Sequence, residues 1–132
     1  MGIKKYQDRI IYQIYPKSFR DSNGDGIGDL RGIIGKLEYL KDLGVNTIWL
    51  NPIFVSPQID NGYDVSNYYA LDEKMGTLHD FDEFVETAHS LGLDVILDFV
   101  MNHTSDKHPW FKDAIANERS LYRDYYLWAL SI

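Results

Sequence analysis

Three short apolar runs punctuate the chain: Ile10 to Tyr15 (IIYQIY), Asn46 to Leu50 (NTIWL) and Asp94 to Val100 (DVILDFV). Each is mostly apolar rather than alternating, which is the pattern of a strand buried on both faces, as in a parallel sheet. Between the first two, Leu30, Ile33, Ile34, Leu37, Leu40 and Leu43 recur at helical spacing, and Gly44 stands where a helix would stop. This predicts an amphipathic helix over Leu30 to Leu43 that returns the chain to begin a parallel neighbour. A second crossover repeats the plan, with Thr77 or Asp80 as N-cap, Phe81, Phe84, Val85 and Ala88 on one face, and Gly92 closing it. The expected order is β-α-β-α-β. After the third run come Asn102-His103-Thr104-Ser105, a short helix over Pro109 to Asn117, and an aromatic stretch from Tyr122 to Trp128.

Strands alternating with crossover helices admit an open doubly wound sheet or a closed barrel, and the pattern alone leaves both open. The turn after the first run has no Gly-x-Gly-x-x-Gly, and no Gly-Lys-Ser or Gly-Lys-Thr occurs, which argues against dinucleotide and phosphate-cradling versions. The connection from Asn51 to about Gly76 is far longer than the usual few residues, a length that is uncommon unless functional. Composition narrows the choice of partner. Apolar residues at 45% suffice for a core, and 20 acidic against 13 basic residues give a net charge of -7, which repels nucleic acid and anionic lipid. The absence of cysteine rules out a disulfide framework. The start, MGIKKYQDR, has no apolar leader, and no stretch reaches the length of a membrane span, so a cytoplasmic protein is expected.

The loop Asp21-Ser22-Asn23-Gly24-Asp25-Gly26-Ile27-Gly28-Asp29 sets oxygen side chains at its positions 1, 3, 5 and 9, with Ile27 offering a backbone carbonyl at 7. A hard cation wants six to eight oxygens aimed inward by a curled backbone, so Asp21, Asn23, Asp25, Ile27 and Asp29 are candidate Ca2+ ligands, with Mg2+ the lesser alternative. The loop departs from the EF-hand at position 12, where Gly32 stands in place of a bidentate Glu. A solvated, Asp-capped turn before a helix is the plainer reading of the same residues.

Four motifs, IYQIYPKSF (Ile11 to Phe19), DSNGDGIGDLRGI (Asp21 to Ile33), SPQIDNGYDVSNY (Ser56 to Tyr68) and DFVMNHTS (Asp98 to Ser105), together resemble glycoside hydrolase family 13. The resemblance is to its oligo-1,6-glucosidase, dextran glucosidase and trehalose-6-phosphate hydrolase branch. It runs from about Ile10 to Trp128. It implies a (β/α)8 TIM barrel of which residues 1–132 supply the three N-terminal βα units, ending near the start of an inserted small domain. It also implies that Asp60 and Tyr63 line the subsite for a nonreducing terminal glucose. A carboxylate there can accept hydrogen bonds from sugar hydroxyls while a phenol ring covers the apolar face of the pyranose. Taken locally, Asp60-Asn61-Gly62 alone also reads as a turn, which the surrounding motif outweighs. His103 is implied as the partner of the 6-hydroxyl of the same sugar, and Asp98 as a strut that orients its neighbours. Trp49 is assigned to barrel packing, Trp110 and Trp128 to packing beneath the small domain, and Arg123-Asp124 to a local ion pair. His79, His89 and His108 are taken as surface or capping groups.

The retaining mechanism needs two carboxyl groups about 5 to 5.5 Å apart. The resemblance puts the nucleophile and acid/base on later strands, so no catalytic residue is expected in this chain. A barrel of this type needs about 250 residues, so three strands leave it incomplete. The expectation is an inactive fragment of a retaining, exo-acting α-glucosidase whose parent is monomeric and acts on α-glucosides. Open strand edges suggest a tendency to aggregate. A noncatalytic barrel homologue acting as an interaction protein, and an isomerising transglucosylase such as a sucrose isomerase or trehalose synthase, are the alternatives.

Overall fold

A computed structural model describes Tyr6 to Ala129, so expectations about the first five and last three residues lie outside the described residues. In chain order the elements are β1 (Ile11–Ile14), α1 (Pro16–Phe19), α2 (Leu30–Ile34), α3 (Leu37–Leu43), β2 (Thr47–Leu50), β3 (Phe54–Val55), β4 (Asn67–Leu71), α4 (Leu78–Ser90), β5 (Asp94–Leu97) and α5 (Pro109–Ala116). Short 3-10 turns lie at Tyr6–Asp8 and Arg123–Tyr125. The three apolar runs become one parallel sheet in the order β1-β2-β5, with Tyr12 opposite Ile48 opposite Val95, and Ile14 opposite Leu50 opposite Leu97. Those six residues form the face toward the helices, where Ile14, Ile48 and Leu50 join Leu30, Ile33, Leu37, Leu40, Phe84 and Ala88 in the core.

The opposite face carries Ile11, Thr47 and Asp94 in one row and Gln13, Trp49 and Ile96 in the next, as the period of two requires. It is only partly covered: Ile11 is 49% and Ile96 38% exposed, and Trp49 is half-buried. Arg9 closes the lower row, donating to Thr47 Oγ1 at 2.9 Å and to Asp94 Oδ2 at 2.7 Å. The sheet is therefore an open segment of a parallel βα array rather than a closed barrel.

Three expectations need correction. The helix over Leu30 to Leu43 is two helices, because the chain leaves α geometry at Lys36. The Gly35 N–H still reaches back four residues, to Arg31, at 3.1 Å, whereas Lys36 has φ -117 and ψ 5 and its N–H reaches back only three, to Ile33, at 2.9 Å. Glycine is a weak helix former, and the break keeps the phase of the apolar stripe, so Leu30, Ile33, Leu37 and Leu40 are all buried while Leu43 is 54% exposed. The third strand stops at Leu97 rather than Val100, the Asp98 N–H making the last bond to β2, on the Leu50 carbonyl at 3.1 Å. The long connection from Asn51 contains an antiparallel hairpin of β3 and β4 that the apolar pattern did not announce.

Local signals explain the rest. Thr77 and Asp80 act together as a capping box on α4, the Thr77 hydroxyl accepting the Asp80 N–H at 3.1 Å and Asp80 Oδ2 accepting the Thr77 N–H at 2.8 Å. Asp80 also receives Arg31 at 2.8 Å, which ties α4 to α2. Gly28 sits where a Cβ would meet the Pro16 carbonyl at 2.0 Å, so only glycine lets the acidic loop fold back onto α1.

Candidate functional site

The parallel strands all end on one side, and the residues just past those ends build a shared rim. Gln13, on β1, donates from Nε2 to Asn51 Oδ1 at 3.0 Å, and Asn51, one residue past β2, donates from Nδ2 to Tyr63 Oη at 3.1 Å. The Tyr63 hydroxyl in turn donates to Asp98 Oδ2 at 2.8 Å, one residue past β5. A single hydrogen-bond chain with one direction thus crosses all three strand ends. Burial pushes the Tyr63 phenol from 10.0 up to about 12, with the bond to and charge of Asp98 adding to it and the charge of Asp60 contributing further. Tyr63 is therefore a neutral donor throughout the physiological range.

The loop from Ser56 to Ser66 is organised by Asp64, which the sequence reading did not nominate. Its carboxylate accepts Ser56 Oγ at 2.9 Å and the N–H groups of Ile59 and Asp60, each at 3.0 Å. Burial pushes the Asp64 carboxyl up, but these hydrogen bonds outweigh it and hold the group below 3.8. Asn61 (φ 54) and Gly62 (φ 96) both lie in the left-handed region, and the Tyr63 N–H returns to the Asp60 carbonyl at 3.0 Å. This is a type I′ turn, so Asp60-Asn61-Gly62 is a turn in fact, and it leaves Asp60 exposed, with its charge near enough to act on the Tyr63 phenol.

His103 meets this loop from the other side. Its Nε2 lies 3.0 Å from the Tyr63 carbonyl, and the Asn102 side-chain amide lies 3.1 Å from its Nδ1. A carbonyl only accepts, so Nε2 carries the proton and Nδ1 accepts from the amide. Both ring nitrogens are engaged within the protein, and a sugar hydroxyl would have to share or displace the Tyr63 carbonyl to receive the Nε2–H. The structure thus brings Asp60, Tyr63, Asp98 and His103 to one rim and joins three of them directly. It adds Gln13, Asn51 and Asp64, whose polar side chains at strand ends or in a motif were the only available signal. Beside His103 lies a cavity of about 650 Å³ walled by Tyr68, Phe99, Met101, Trp110 and Tyr126.

Other nominated residues are placed as follows. His79 and His89 are exposed, while His108 is 5% exposed and caps α5, its Nδ1 accepting the Trp110 N–H at 3.0 Å. Trp110 stacks on Tyr122, and Trp128 stacks on Phe111. The Arg123-Asp124 ion pair does not form. Arg123 instead donates to the Ala114 carbonyl at 2.8 Å and lies 3.6 Å over the Trp128 ring, where a guanidinium gains more than from an exposed carboxylate.

In the acidic loop, Asp21 accepts the N–H groups of Asn23, Gly24 and Gly26, Asn23 Oδ1 that of Asp25, and Asp25 Oδ1 that of Ile27. The Gly26 hydrogen bond leads the causes that hold Asp21 below 3.8. Asp29 is 5% exposed and spends one oxygen on the Gly32 N–H as the N-cap of α2 and the other on the Ser22 N–H. Among the described residues no three His, Cys, Asp or Glu side chains converge as a metal cage. The donor type still suits a hard cation: Asp21 Oδ1 already accepts two N–H groups, but Asp21 Oδ2 and Asp25 Oδ1 each accept one and keep a second lone pair.

An open parallel βα sheet with a polar rim at the carboxyl ends of its strands defines the class: an α/β protein of barrel type whose chemistry belongs to that rim. The family model described as alpha amylase, catalytic domain, matches residues 13–131. The chain belongs to this family, glycoside hydrolase family 13, which has the TIM-barrel fold. It is 54% identical over 123 residues to the probable oligo-1,6-glucosidase 2 of Bacillus subtilis and 58% identical over 123 residues to the trehalose-6-phosphate hydrolase of Escherichia coli. Each match covers 93% of this chain and 22% of the relative, so the chain spans about a fifth of the length of these proteins. A crystal structure of Bacillus licheniformis trehalose-6-phosphate hydrolase superposes with a TM-score of 0.89 at 55% identity, covering 92% of this chain and 22% of that one. A mutant of MutB in complex with the substrate sucrose superposes at 0.91 and 46% identity, covering 96% and 23%. No helix among the described residues is long and apolar enough to cross a membrane.

Proposed function

We propose that this rim is part of the subsite for a nonreducing terminal glucose in a retaining, exo-acting α-glucosidase of the oligo-1,6-glucosidase or trehalose-6-phosphate hydrolase type. The 132 residues alone do not hydrolyse the bond. The observation that carries this reading is the convergence of Tyr63, Asp98 and His103, with Tyr63 Oη 2.8 Å from Asp98 and His103 Nε2 3.0 Å from the Tyr63 carbonyl. A fixed phenol ring, an exposed carboxylate at Asp60 and an Nε2–H donor are the three contacts that a pyranose end needs. The ring packs on C–H bonds, the carboxylate accepts from adjacent hydroxyls, and the imidazole donates to the 6-oxygen, where it favours the flattened, charged ring of the transition state. In this reading the two carboxyls that would cleave the bond belong to later strands of the whole protein.

Saturation-transfer NMR with isomaltose on the purified chain tests the grip. Transfer concentrated on the terminal ring and lost in Asp60→Ala supports it, and equal transfer to both proteins refutes it. Release of p-nitrophenol from the aryl α-glucoside by the chain, with contaminating enzyme excluded, would refute the absence of hydrolysis. The similarity to MutB supports a second reading, an isomerising enzyme acting on sucrose, which a protein joining this chain to later units would reveal by isomer formation.

The Asp21 to Asp29 loop is also proposed to hold Ca2+ through Asp21, Asn23, Asp25, the Ile27 carbonyl and Asp29. Support comes from the donor type, the side-chain oxygens of Asp21, Asn23, Asp25 and Asp29 at alternating positions of one loop. An unchanged melting transition in excess chelator rejects it.

A further inference from the structure

The segment between Asp98 and Thr104 carries His103 but contains no helix or strand. Its turn from Val100 to His103 is not closed by the His103 N–H on the Val100 carbonyl, since no such bond forms. Instead one hydroxyl reaches in from β4: Tyr68 Oη donates to the Val100 carbonyl at 2.7 Å and, shared, to the His103 carbonyl at 3.0 Å. The ring behind that hydroxyl is clamped. Phe99 meets it edge-on at 5.6 Å, His108 lies tilted against it at 5.7 Å, and Trp110 stacks at 6.3 Å with 29° between planes. A hydroxyl fixed by aromatic packing on three sides therefore sets the spacing of two carbonyls that would otherwise repel each other. His103 ends this turn, and its Nε2 lies 3.0 Å from the Tyr63 carbonyl.

We infer that Tyr68 is a positioning residue that holds His103 at the rim, acting through the backbone of the Val100 to His103 turn rather than by touching the sugar. The inference rests on the reading of His103 as a sugar contact. Burial raises the Tyr68 phenol above 10.0, with the charge of an ionised Tyr126 adding to the effect, so the donor stays protonated wherever the protein would work. The neighbouring Tyr69 is 90% exposed and turns its side chain away from these carbonyls, which makes it a natural control.

The test is long-range 1H–15N NMR of the histidine rings in the unsubstituted chain, Tyr68→Phe and Tyr69→Phe, with His103 assigned by His103→Gln. Tyr68→Phe keeps the ring and its packing and removes only the donor. The expected result is an Nε2–H tautomer for His103 in the unsubstituted chain and in Tyr69→Phe. In Tyr68→Phe the Nε2–H should exchange about fivefold to tenfold faster, the factor corresponding to one net hydrogen bond, with averaged ring shifts. Unchanged His103 signals in Tyr68→Phe overturn the inference, as does an unsubstituted chain without a fixed tautomer. Should Tyr68→Phe fail to fold, alkaline titration of the unsubstituted chain removes the same donor: His103 shifts that follow the Tyr68 ring support the inference, and independent shifts overturn it. Isomaltose added to the unsubstituted chain separates the two ideas. His103 signals that respond to Tyr68→Phe but not to the sugar leave the positioning role standing and remove the sugar-contact reading.

Discussion

Removing the Tyr63 hydroxyl is the sharpest probe of the rim, because that one group links the ends of β2 and β5. In Tyr63→Phe the ring stays, while Asp98 loses a donor at 2.8 Å and Asn51 an acceptor at 3.1 Å. A hydrogen bond to a charged group contributes about 1.5–3 kcal/mol when buried, and Tyr63 and Asp98 are only half-buried, so a loss of about 1–2 kcal/mol is expected at neutral pH. For a chain of this size that corresponds to a fall in Tm of roughly 3–8 °C. The pH dependence adds a second signature. The folded pKa is raised, from 10.0 to about 12, so the stabilisation is fully present below pH 10.0 and is lost as pH rises through about 12. Thermal melts of both proteins at intervals between pH 7 and 12 therefore should converge at the alkaline end. A double-mutant cycle with Asp98→Asn, which should show coupling of about 1 kcal/mol, isolates the pair. Equal melting temperatures at neutral pH, or a gap that persists unchanged to the alkaline end, would refute the hydrogen-bond chain.

Two further predictions follow from particular contacts. Gly28→Ala places a Cβ 2.0 Å from the Pro16 carbonyl and should cost about 3 kcal/mol or more, whereas Gly24→Ala meets nothing within 4 Å and should cost about 1 kcal/mol for its φ of +80; urea unfolding of the two variants separates clash from backbone strain. Burial lowers the His108 pKa below 6.5, so the stability it contributes is present above pH 6.5 and is lost as pH falls through its folded value; protonation removes the acceptor that caps α5, and Trp110, 4.3 Å from the imidazole, should report this as a fluorescence change absent in His108→Asn.

What the sequence discloses here is what local periodicity can encode. The runs around Ile11, Thr47 and Asp94 read as buried parallel strands because each strand has a covered face and at least one parallel neighbour, and α4 reads as a helix because its capping box and its Gly92 stop are both local. The break at Lys36 was not legible because it changes hydrogen bonding without changing the phase of Leu30, Ile33, Leu37 and Leu40. The β3–β4 hairpin escaped for a different reason. Two residues, Phe54 and Val55, are too few to show a period, and β4 carries aromatic residues of which Tyr69 is exposed and Tyr68 serves the turn beyond β5.

The rim divides along the same line. Tyr63, Asp98 and His103 could be nominated because the motifs that contain them are recognisable as residue types in order. The carbonyl that engages His103 and the two carbonyls held by Tyr68 could not, because a backbone acceptor is the same at every position and acquires meaning only when the chain folds. This asymmetry bears on mechanism as well as on prediction. Any ligand that takes the Nε2–H of His103 competes with the Tyr63 carbonyl, and Tyr63 is also the residue whose ring would cover that ligand. Binding one group at this rim therefore releases a constraint on the loop that supplies the other, so Asp60, Tyr63 and His103 should respond to a sugar as a unit, and substitutions at Tyr68 and Tyr63 should prove non-additive.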